Sequence, residues 1–283
     1  MLTRNRGEQL FELPIGKADP KNKIVCTQPA PGVYLVTFTH GADNRLTSDF
    51  CRALILALNV LLHRHPAGVV ITTSGIDKFY SNGLDLAHMT ATPHFFRDAV
   101  YALWHRLATF PMPTVAWVNG HAFAGGLMLA MFHDYRAMNP HRGYLCLNEL
   151  ELGIPLAPPM AGVFRQKVSA SVLRRMVLEV ERFKALDALR ENLVDWLGGL
   201  DETLTHIDEL KLIKKARPGM SGVSVYGELK EEMWRETIDY LEQSSEEGIR
   251  QESRALRRRK VWETDEQRVR QWEAQGNPKT SKL

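Results

Sequence analysis

Two adjacent glycines, Gly125 and Gly126, stand at the start of an apolar run in residues 119–130, NGHAFAGGLMLA. If this run is a helix, its first turn carries backbone N–H groups that have no acceptor within the helix, and glycine lets another molecule approach them closely. This combination is typical of a site for an anion or for a carbonyl oxygen that becomes negatively charged. A loop that needs small residues for packing has the same pattern, so the glycines alone leave both interpretations open.

The segment LCLNELELGI holds two carboxylates, Glu149 and Glu151. A carboxylate in apolar surroundings suits proton abstraction, because burial raises its pKa toward neutrality. Taken alone, either glutamate is equally typical of a protein surface. His121, His133 and Asp134 lie near one another in the sequence, but no further ligand falls at metal spacing and no serine sits in a nucleophile elbow. We therefore expect packing or surface roles for these three residues.

The elements that would position these residues alternate between strands and helices. The apolar pattern predicts strands within residues 24–38, 68–74 and 114–118, and helices that begin near Ser48 and after Thr92-Pro93. The Ser-Asn-Gly sequence in residues 77–89 predicts a turn with special backbone geometry at Gly83. Because a strand, a glycine turn and a helix follow one another twice, the pattern predicts an α/β fold with its ligand at the carboxyl ends of the strands.

The second half of the chain is richer in predicted helix. We predict a strand that runs through the two glutamates, and helices near Pro158, over residues 169–180 and 183–199, and as a long pair from 220 to about 273. The highly charged segment RALRRRKVWETDEQRVRQWEAQ is typical of a solvated terminal helix, and a basic binding surface is the alternative.

Composition places the chain among globular proteins. Its 283 residues are 44% hydrophobic and 24% charged, values that exclude disorder of the whole chain. The net charge of +3 is too small and dispersed to indicate a nucleic-acid partner, and neither glycine turn has a nucleotide-binding pattern. Cys26, Cys51 and Cys146 lie far apart without CxxC spacing, so we expect reduced thiols in the core.

The two ends of the sequence carry different signals. Residues 1–23 have charges throughout and no long apolar run, which indicates neither secretion nor membrane insertion. Ser281, Lys282 and Leu283 form the tripeptide that the peroxisomal import receptor recognises at a carboxyl terminus. We therefore expect that receptor as a partner and the peroxisome as the location.

Three segments taken together, FYSNGLDLAHM, PTVAWVNGHAFAGGLMLAMFHDYRAM and LNELELGIPLAPP, resemble the enoyl-CoA hydratase/isomerase (crotonase) superfamily. The resemblance covers about residues 24–200, and it is specific because all three segments occur in the family's order. It implies an α/β fold with a crotonase-like ββα superhelix, or spiral, over residues 23–200. An N-terminal extension over residues 1–22 would precede this core, and a helical trimerisation region over 201–275 and a tail over 276–283 would follow it.

The resemblance also implies roles for individual residues. The backbone N–H groups of Leu84 and Gly125 would form an oxyanion hole for a thioester carbonyl. Glu149 corresponds to the glutamate of enoyl-CoA isomerases, whereas Met128 stands where hydratases carry a second glutamate. A thioether cannot activate water, so the resemblance favours isomerisation over hydration. The substrate-binding residues expected on this basis are Arg45, as a phosphate partner for CoA, and Ser81, Asn82, Gly83, Asp85, Gly126, Met128 and Asn148.

The expected reaction converts 3-enoyl-CoA to trans-2-enoyl-CoA in the β-oxidation of unsaturated fatty acids, with Glu149 carrying a proton from C2 to C4. Glu151 is kept as an alternative base. The acyl-CoA thioester is the expected partner, without a metal or other cofactor, and relatives imply a homotrimer or a dimer of trimers. A thioester hydrolase, a dienoyl-CoA isomerase and a non-catalytic acyl-CoA-binding subunit stay open as alternatives. Ala124 stands where many relatives have a third glycine.

Overall fold

The structure is a computed structural model that describes residues 7–216 and 224–274, apart from the side chains of residues 244–255. The chain divides into two compact units, Met1–Glu242 and Gln243–Leu283. Within the described ranges, no helix is both long enough and apolar enough to cross a membrane.

The first unit contains two β-sheets. A seven-stranded sheet has the order β1-β2-β3-β4-β6-β8-β10, in which β1, β2 and β3 are antiparallel and the other neighbours are parallel. A second, three-stranded sheet has the order β5-β7-β9 and is parallel throughout. The strands are β1 Glu8–Pro14, β2 Lys23–Ala30, β3 Val33–Thr39, β4 Val69–Ser74, β5 Phe79–Ser81, β6 Thr114–Val118, β7 His121–Phe123, β8 Tyr135–Met138, β9 Leu145–Cys146 and β10 Trp196–Leu197.

The helices follow the strands along the chain, and a π-helical segment, Phe96–Tyr101, leads directly into α3. The α-helices of the first unit are α1 Ser48–Arg64, α2 Leu86–Ala91, α3 Ala102–Ala108, α4 Gly125–Met131, α5 Glu149–Leu152, α6 Pro158–Arg165, α7 Ala170–Leu178, α8 Ala185–Arg190, α9 Leu200–Glu209, α10 Leu212–Lys215, α11 Val225–Met233 and α12 Arg235–Glu242. The second unit contains α13, Ser244–Ala274.

A repeated strand–strand–helix unit builds the core. The chain passes from β4 in the large sheet to β5 in the small sheet and then to α2, and it repeats this path with β6, β7 and α4 and again with β8, β9 and α5. Each repeat adds one strand to each sheet, which is the ββα spiral. The predicted α/β class with this core is confirmed.

Local sequence explains why the first elements form. The Thr47 hydroxyl accepts a hydrogen bond from the Phe50 amide at the start of α1, as a Thr or Ser cap does. Behind this cap α1 buries an apolar face that includes Leu54, Leu58 and Leu61. All residues of β4 are buried, as expected for an apolar strand that is covered on both faces of a sheet.

Three predicted elements are wrong in extent or type. The helix expected after Thr92-Pro93 begins only at Phe96, because His94 has a left-handed φ of 59° that interrupts helical geometry. The strand expected through the two glutamates ends at Cys146, and Glu149–Leu152 is helical. The helix expected over residues 183–199 ends at Arg190 and is followed by the short strand β10.

Other segments add structure that the pattern did not predict. Residues 8–14 of the predicted N-terminal extension form β1, an edge strand that pairs with β2. The segment from 224 to 274 holds three helices where a pair was expected. Cys26, Cys51 and Cys146 are buried and free, as predicted.

Lys230 fixes α11 to the core through a buried ion pair. Its ammonium lies 2.9 Å from Oδ1 of Asp134 and donates a hydrogen bond of 2.9 Å to the Leu107 carbonyl. The side chains of the two charged partners are only 4% and 9% exposed. Asp134 also accepts hydrogen bonds from the Thr114 amide and the Tyr226 hydroxyl. One carboxylate therefore joins α11 to the sheet.

Replacing Lys230 by methionine should be costly, because Asp134 would stay buried without a cation. We expect Lys230→Met to lower the free energy of unfolding by about 3–5 kcal/mol, measured by urea denaturation. The control is Lys23→Met, which removes an exposed ion pair of 2.9 Å with Glu12 and should cost less than about 1 kcal/mol. Equal losses for both variants would contradict the role assigned to the buried pair.

Candidate active site

A cleft of about 180 Å³ lies where the glycine turn after β5, the start of α4 and the helix α5 come together. Most of its wall is apolar. The residues that line it are Arg45, Asn82, Leu84, Leu86, Met89, Phe96, Ala124, Gly125, Met128, Asn148, Glu149, Leu152, Ile154 and Met160. It thus lies beyond the carboxyl ends of parallel strands, where ligands of α/β proteins bind.

Glu149 brings a carboxylate into this apolar cleft. The residue is 8% exposed, and its Oε2 atom has no hydrogen-bond partner among the described residues. Burial raises the pKa of Glu149 to about 7, although a hydrogen bond from the backbone opposes the shift. A carboxyl group with this pKa can take up and release a proton near neutral pH, which is what a reversible base requires.

Glu151 points away from the cleft. Residues two apart on a helix lie on nearly opposite sides, so the helical form of α5 separates the two glutamates that a strand would have placed on one face. The Glu151 side chain is 54% exposed and lies 3.8 Å from the Arg182 guanidinium. Gly153, with a left-handed φ of 68°, ends the helix. The structure therefore separates Glu149 from its predicted alternative.

The amides of Leu84 and Gly125 lie close together at the cleft. A methyl group built on Gly125 would lie 3.4 Å from the Leu84 nitrogen, and one built on Gly83 would lie 3.2 Å from the Gly125 nitrogen. Neither amide N–H has a hydrogen-bond acceptor within the ranges 7–216 and 224–274. Two unpaired donors this close together on separate loops can both bind one oxygen atom, as an oxyanion hole requires.

Close packing explains two of the glycines. Gly83 adopts a left-handed φ of 87°, and a side chain there would meet the Phe123 carbonyl at 3.0 Å. At Gly126 a Cβ atom would lie 2.3 Å from the Ser81 carbonyl oxygen. Ser81 is buried, and its hydroxyl donates to the Asn44 carbonyl and accepts from the Gly83 amide. These residues lie behind the cleft wall and hold its shape.

Ala124 adopts a backbone conformation that strongly favours glycine. Its φ of 48° and ψ of −124° lie in a region that costs a residue with a side chain on the order of 1–3 kcal/mol. The strained residue immediately precedes Gly125 and lines the cleft. Its methyl group lies close to Gly83, 3.1 Å from where a Cβ atom would be, so the strain and the close packing occur at the same point.

A polar cluster forms one edge of the cleft. Asp43 accepts a hydrogen bond of 2.8 Å from the Asn82 side-chain amide and one of 3.1 Å from the Arg45 guanidinium. The Arg45 side chain is 40% exposed, which leaves part of the guanidinium accessible. The cleft is also lined by Asn148, whose buried Oδ1 atom has no hydrogen-bond partner among the described residues. Arg45, Asn82 and Asn148 thus reach the cleft, as does the buried Met128.

Asp85 does not line the cleft, and its side chain caps a helix. Its carboxylate accepts a hydrogen bond of 2.8 Å from the His88 amide and caps α2. Of the eight predicted substrate-binding residues, four line the cleft and four, Ser81, Gly83, Asp85 and Gly126, do not. The predicted targeting residues Ser281, Lys282 and Leu283 lie outside the described residues.

Sequence reasoning missed most of the apolar wall. The residues concerned are Leu86, Met89, Phe96, Ile154 and Met160, which come from four separate segments. Phe96 is half-buried and faces the cleft. The helical spacing of α6 and of the segment before α3 shows that these residues are partly buried, but only the fold shows what they are buried against.

The histidines near the glycine turn make packing contacts. His133 is buried between the Thr72 hydroxyl and the Leu129 carbonyl, and burial lowers its pKa to about 3. His121 stacks on Tyr144, with ring centroids 5.5 Å apart. In the part of the chain that the structure describes, no group of three or more His, Cys, Asp or Glu residues is placed to hold a metal ion.

Comparison with known proteins shows the family to which the chain belongs. The enoyl-CoA hydratase/isomerase family profile matches residues 29–264. Two relatives from Arabidopsis thaliana, named enoyl-CoA delta isomerase 3 and enoyl-CoA delta isomerase 1, peroxisomal, are each 31% identical, and the matches cover 60% and 73% of this chain and 76% and 88% of theirs. A crystal structure of a probable enoyl-CoA hydratase from Mycobacterium tuberculosis shares the fold with a TM-score of 0.67 at 18% identity, covering 82% of this chain and 99% of that one. The chain belongs to the enoyl-CoA hydratase/isomerase family.

Proposed function

We propose that this protein is an isomerase that shifts the double bond of 3-enoyl-CoA to give trans-2-enoyl-CoA, a step in the β-oxidation of unsaturated fatty acids. The observation that carries the proposal is the single buried carboxylate, Glu149, in an apolar cleft beside two free backbone amides. The names of the two Arabidopsis relatives support the same activity.

The proposed reaction is a proton transfer without net change in atoms. The Glu149 carboxylate removes a proton from C2, and the electron pair that is released delocalises into a dienolate. The amides of Leu84 and Gly125 donate hydrogen bonds to its oxygen, which is worth several kcal/mol because the donors are already in place. The protonated Glu149 then returns the proton to C4, so that the double bond now lies between C2 and C3.

Met128 supports isomerisation over hydration. It is 1% exposed and lines the cleft, at the position where the family resemblance places a second glutamate in hydratases. Addition of water needs a second acid or base, and a thioether offers neither. The remaining wall, which includes Leu86 and Phe96, suits an unsaturated acyl chain. We assign the exposed part of Arg45 to a CoA phosphate.

We also propose the trimer that the family resemblance implies. Exposed leucines on the helices beside the site support an apolar interface between copies. They are Leu150 on α5, Leu178 on α7 and Leu186 on α8, with 58%, 65% and 68% of their surface exposed. Where such side chains form one contiguous patch, a protein partner commonly covers them.

Glu149→Gln tests the base directly. We expect a loss of about 10²–10⁴-fold in turnover of 3-hexenoyl-CoA, followed by the absorbance of the 2-enoyl thioester, because the amide cannot accept the proton. Binding of the CoA thioester should persist. The matched control is Glu151→Gln, which should keep its activity because Glu151 points to solvent. If Glu149→Gln changes only affinity, the protein is a binding subunit and the proposed reaction is wrong.

The raised pKa of Glu149 predicts how activity depends on pH. Because the reaction needs the carboxylate, kcat/KM should rise about tenfold per pH unit below pH 7 and level off above it, with a midpoint at the pKa of about 7. The folded protein also holds this proton more tightly than the unfolded chain, so the stability contributed by this carboxyl falls as pH rises from about 4.5 to about 7. A midpoint near pH 4.5 would contradict burial of the carboxyl group.

We further propose that Ser281, Lys282 and Leu283 direct the protein to the peroxisome, as the name of one Arabidopsis relative supports. A chain with a fluorescent protein at its N-terminus should collect in peroxisomes, and deletion of Leu283 should leave it in the cytosol. Lys279→Ala, just upstream of the tripeptide, is the control and should not alter import. Import of the protein without Leu283 would contradict a targeting role for this tripeptide.

A further inference from the structure

The charges of α13 are distributed unevenly along its length. Residues 254–260 contain five cations and no acid, namely Arg254, Arg257, Arg258, Arg259 and Lys260. Residues 263–273 contain four acids, Glu263, Asp265, Glu266 and Glu273, against two arginines. The first half of this segment is therefore strongly basic and the second half is acidic. This polarity belongs to one continuous helix, Ser244–Ala274, in the second unit of the chain.

The same helix exposes an apolar stripe. Val261, Trp262 and Val269 have 56%, 62% and 53% of their surface exposed. At 100° per residue these three side chains fall within an arc of about 100°, so they share one face of the helix. Arg258 and Asp265 lie on that face as well, one on the basic side of Trp262 and the other on its acidic side.

Ion pairs within α13 leave much of the basic half unneutralised. Three exposed pairs of 3.0–3.3 Å join Arg259 to Glu263, Arg268 to Asp265 and Arg270 to Glu266. Such pairs one turn apart are weak, and their partners can exchange them for others. Among the residues whose side chains the structure describes, Arg257, Arg258 and Lys260 have no acidic partner, and all three are exposed.

We propose that α13 pairs in antiparallel orientation with α13 of a second copy of this chain. In that orientation the basic half of each helix lies against the acidic half of the other, whereas a parallel pair would place the two basic halves together. A two-fold axis at position 262 places Arg258 beside Glu266 of the second copy and Arg259 beside Asp265 of the second copy. The same axis buries Trp262 of both helices at the centre of the interface.

A second copy fits this surface better than a polyanion does. A nucleic acid would be attracted to residues 254–260 but repelled by the acids that follow. Its phosphate backbone would make no favourable contact with the apolar stripe. A second α13 in antiparallel orientation contacts the basic half, the acidic half and the apolar face together, each with a complementary surface. This inference does not rest on the proposed isomerase activity, because none of these residues lines the cleft.

Charge reversal tests the pairing in the full-length protein. We expect Arg258→Glu with Arg259→Glu to lower the molar mass in solution two-fold, measured by light scattering during size-exclusion chromatography. Asp265→Arg with Glu266→Arg should have the same effect. A variant with all four substitutions exchanges the charges completely and should recover the wild-type mass. Circular dichroism confirms in each case that the helix is retained.

The apolar stripe has its own matched control. Trp262→Ala should also lower the molar mass two-fold, whereas Leu256→Ala, which is 61% exposed on another face of α13, should leave it unchanged. The proposal is overturned if the single-half reversals keep the wild-type mass, or if the fourfold variant fails to recover it. It is also overturned if the wild-type helix binds heparin in preference to a second copy, because a basic binding surface then explains residues 254–260.

Discussion

The site depends on the close approach of two backbone loops. The turn after β5 and the start of α4 pack so tightly that a methyl group on Gly126 would overlap the Ser81 carbonyl, 2.3 Å away. A side chain at Gly83 would in turn meet the loop that precedes α4. This contact brings the amides of Leu84 and Gly125 together, and neither has an acceptor among the described residues. Donors supplied by the backbone are fixed by the fold, so their position does not depend on a rotamer. Ala124 has a strained backbone conformation, so the rest of the fold must offset a local loss of conformational free energy at this turn.

The second constraint is the burial of one carboxylate beside those donors. A shift in the pKa of Glu149 from 4.5 to about 7 corresponds to about 3 kcal/mol of lost stability at neutral pH. A protein that used this residue only for structure would be more stable with an apolar side chain there. Two other buried charges are paired, Lys230 with Asp134 and Arg136 with Asp195. Among the described residues Glu149 has no such cation, so no ion pair offsets the rise in its pKa.

Elements that depend on interactions between neighbouring residues were predicted correctly, whereas elements that depend on contacts between distant residues were not. The strand of residues 68–74 and the helix from Ser48 were predicted because a long apolar run and a capped amphipathic pattern are local signals. The segment around Glu149 was predicted as a strand because four helical residues are too few to show a helical period. β1 was missed because an edge strand has little apolar alternation, and its pairing with β2 decides its conformation. The left-handed conformation of His94, which delays the next helix, gives no signal in the residue type.

The sequence by itself determined which chemical groups are present: glycines in two turns, one glutamate at the position that the family resemblance marks, and a methionine in place of a second acid. It also determined the α/β class, because the order of strands and helices follows from local periodicity. Only the tertiary structure decided that Glu149 faces the cleft and Glu151 faces solvent, since that choice depends on the helical form of α5. It also decided which apolar side chains line the cleft, because Leu86, Phe96 and Met160 meet only when distant segments pack together. The burial of a side chain and the meeting of several side chains at one cleft depend on contacts between distant parts of the chain. A local sequence pattern therefore does not predict them.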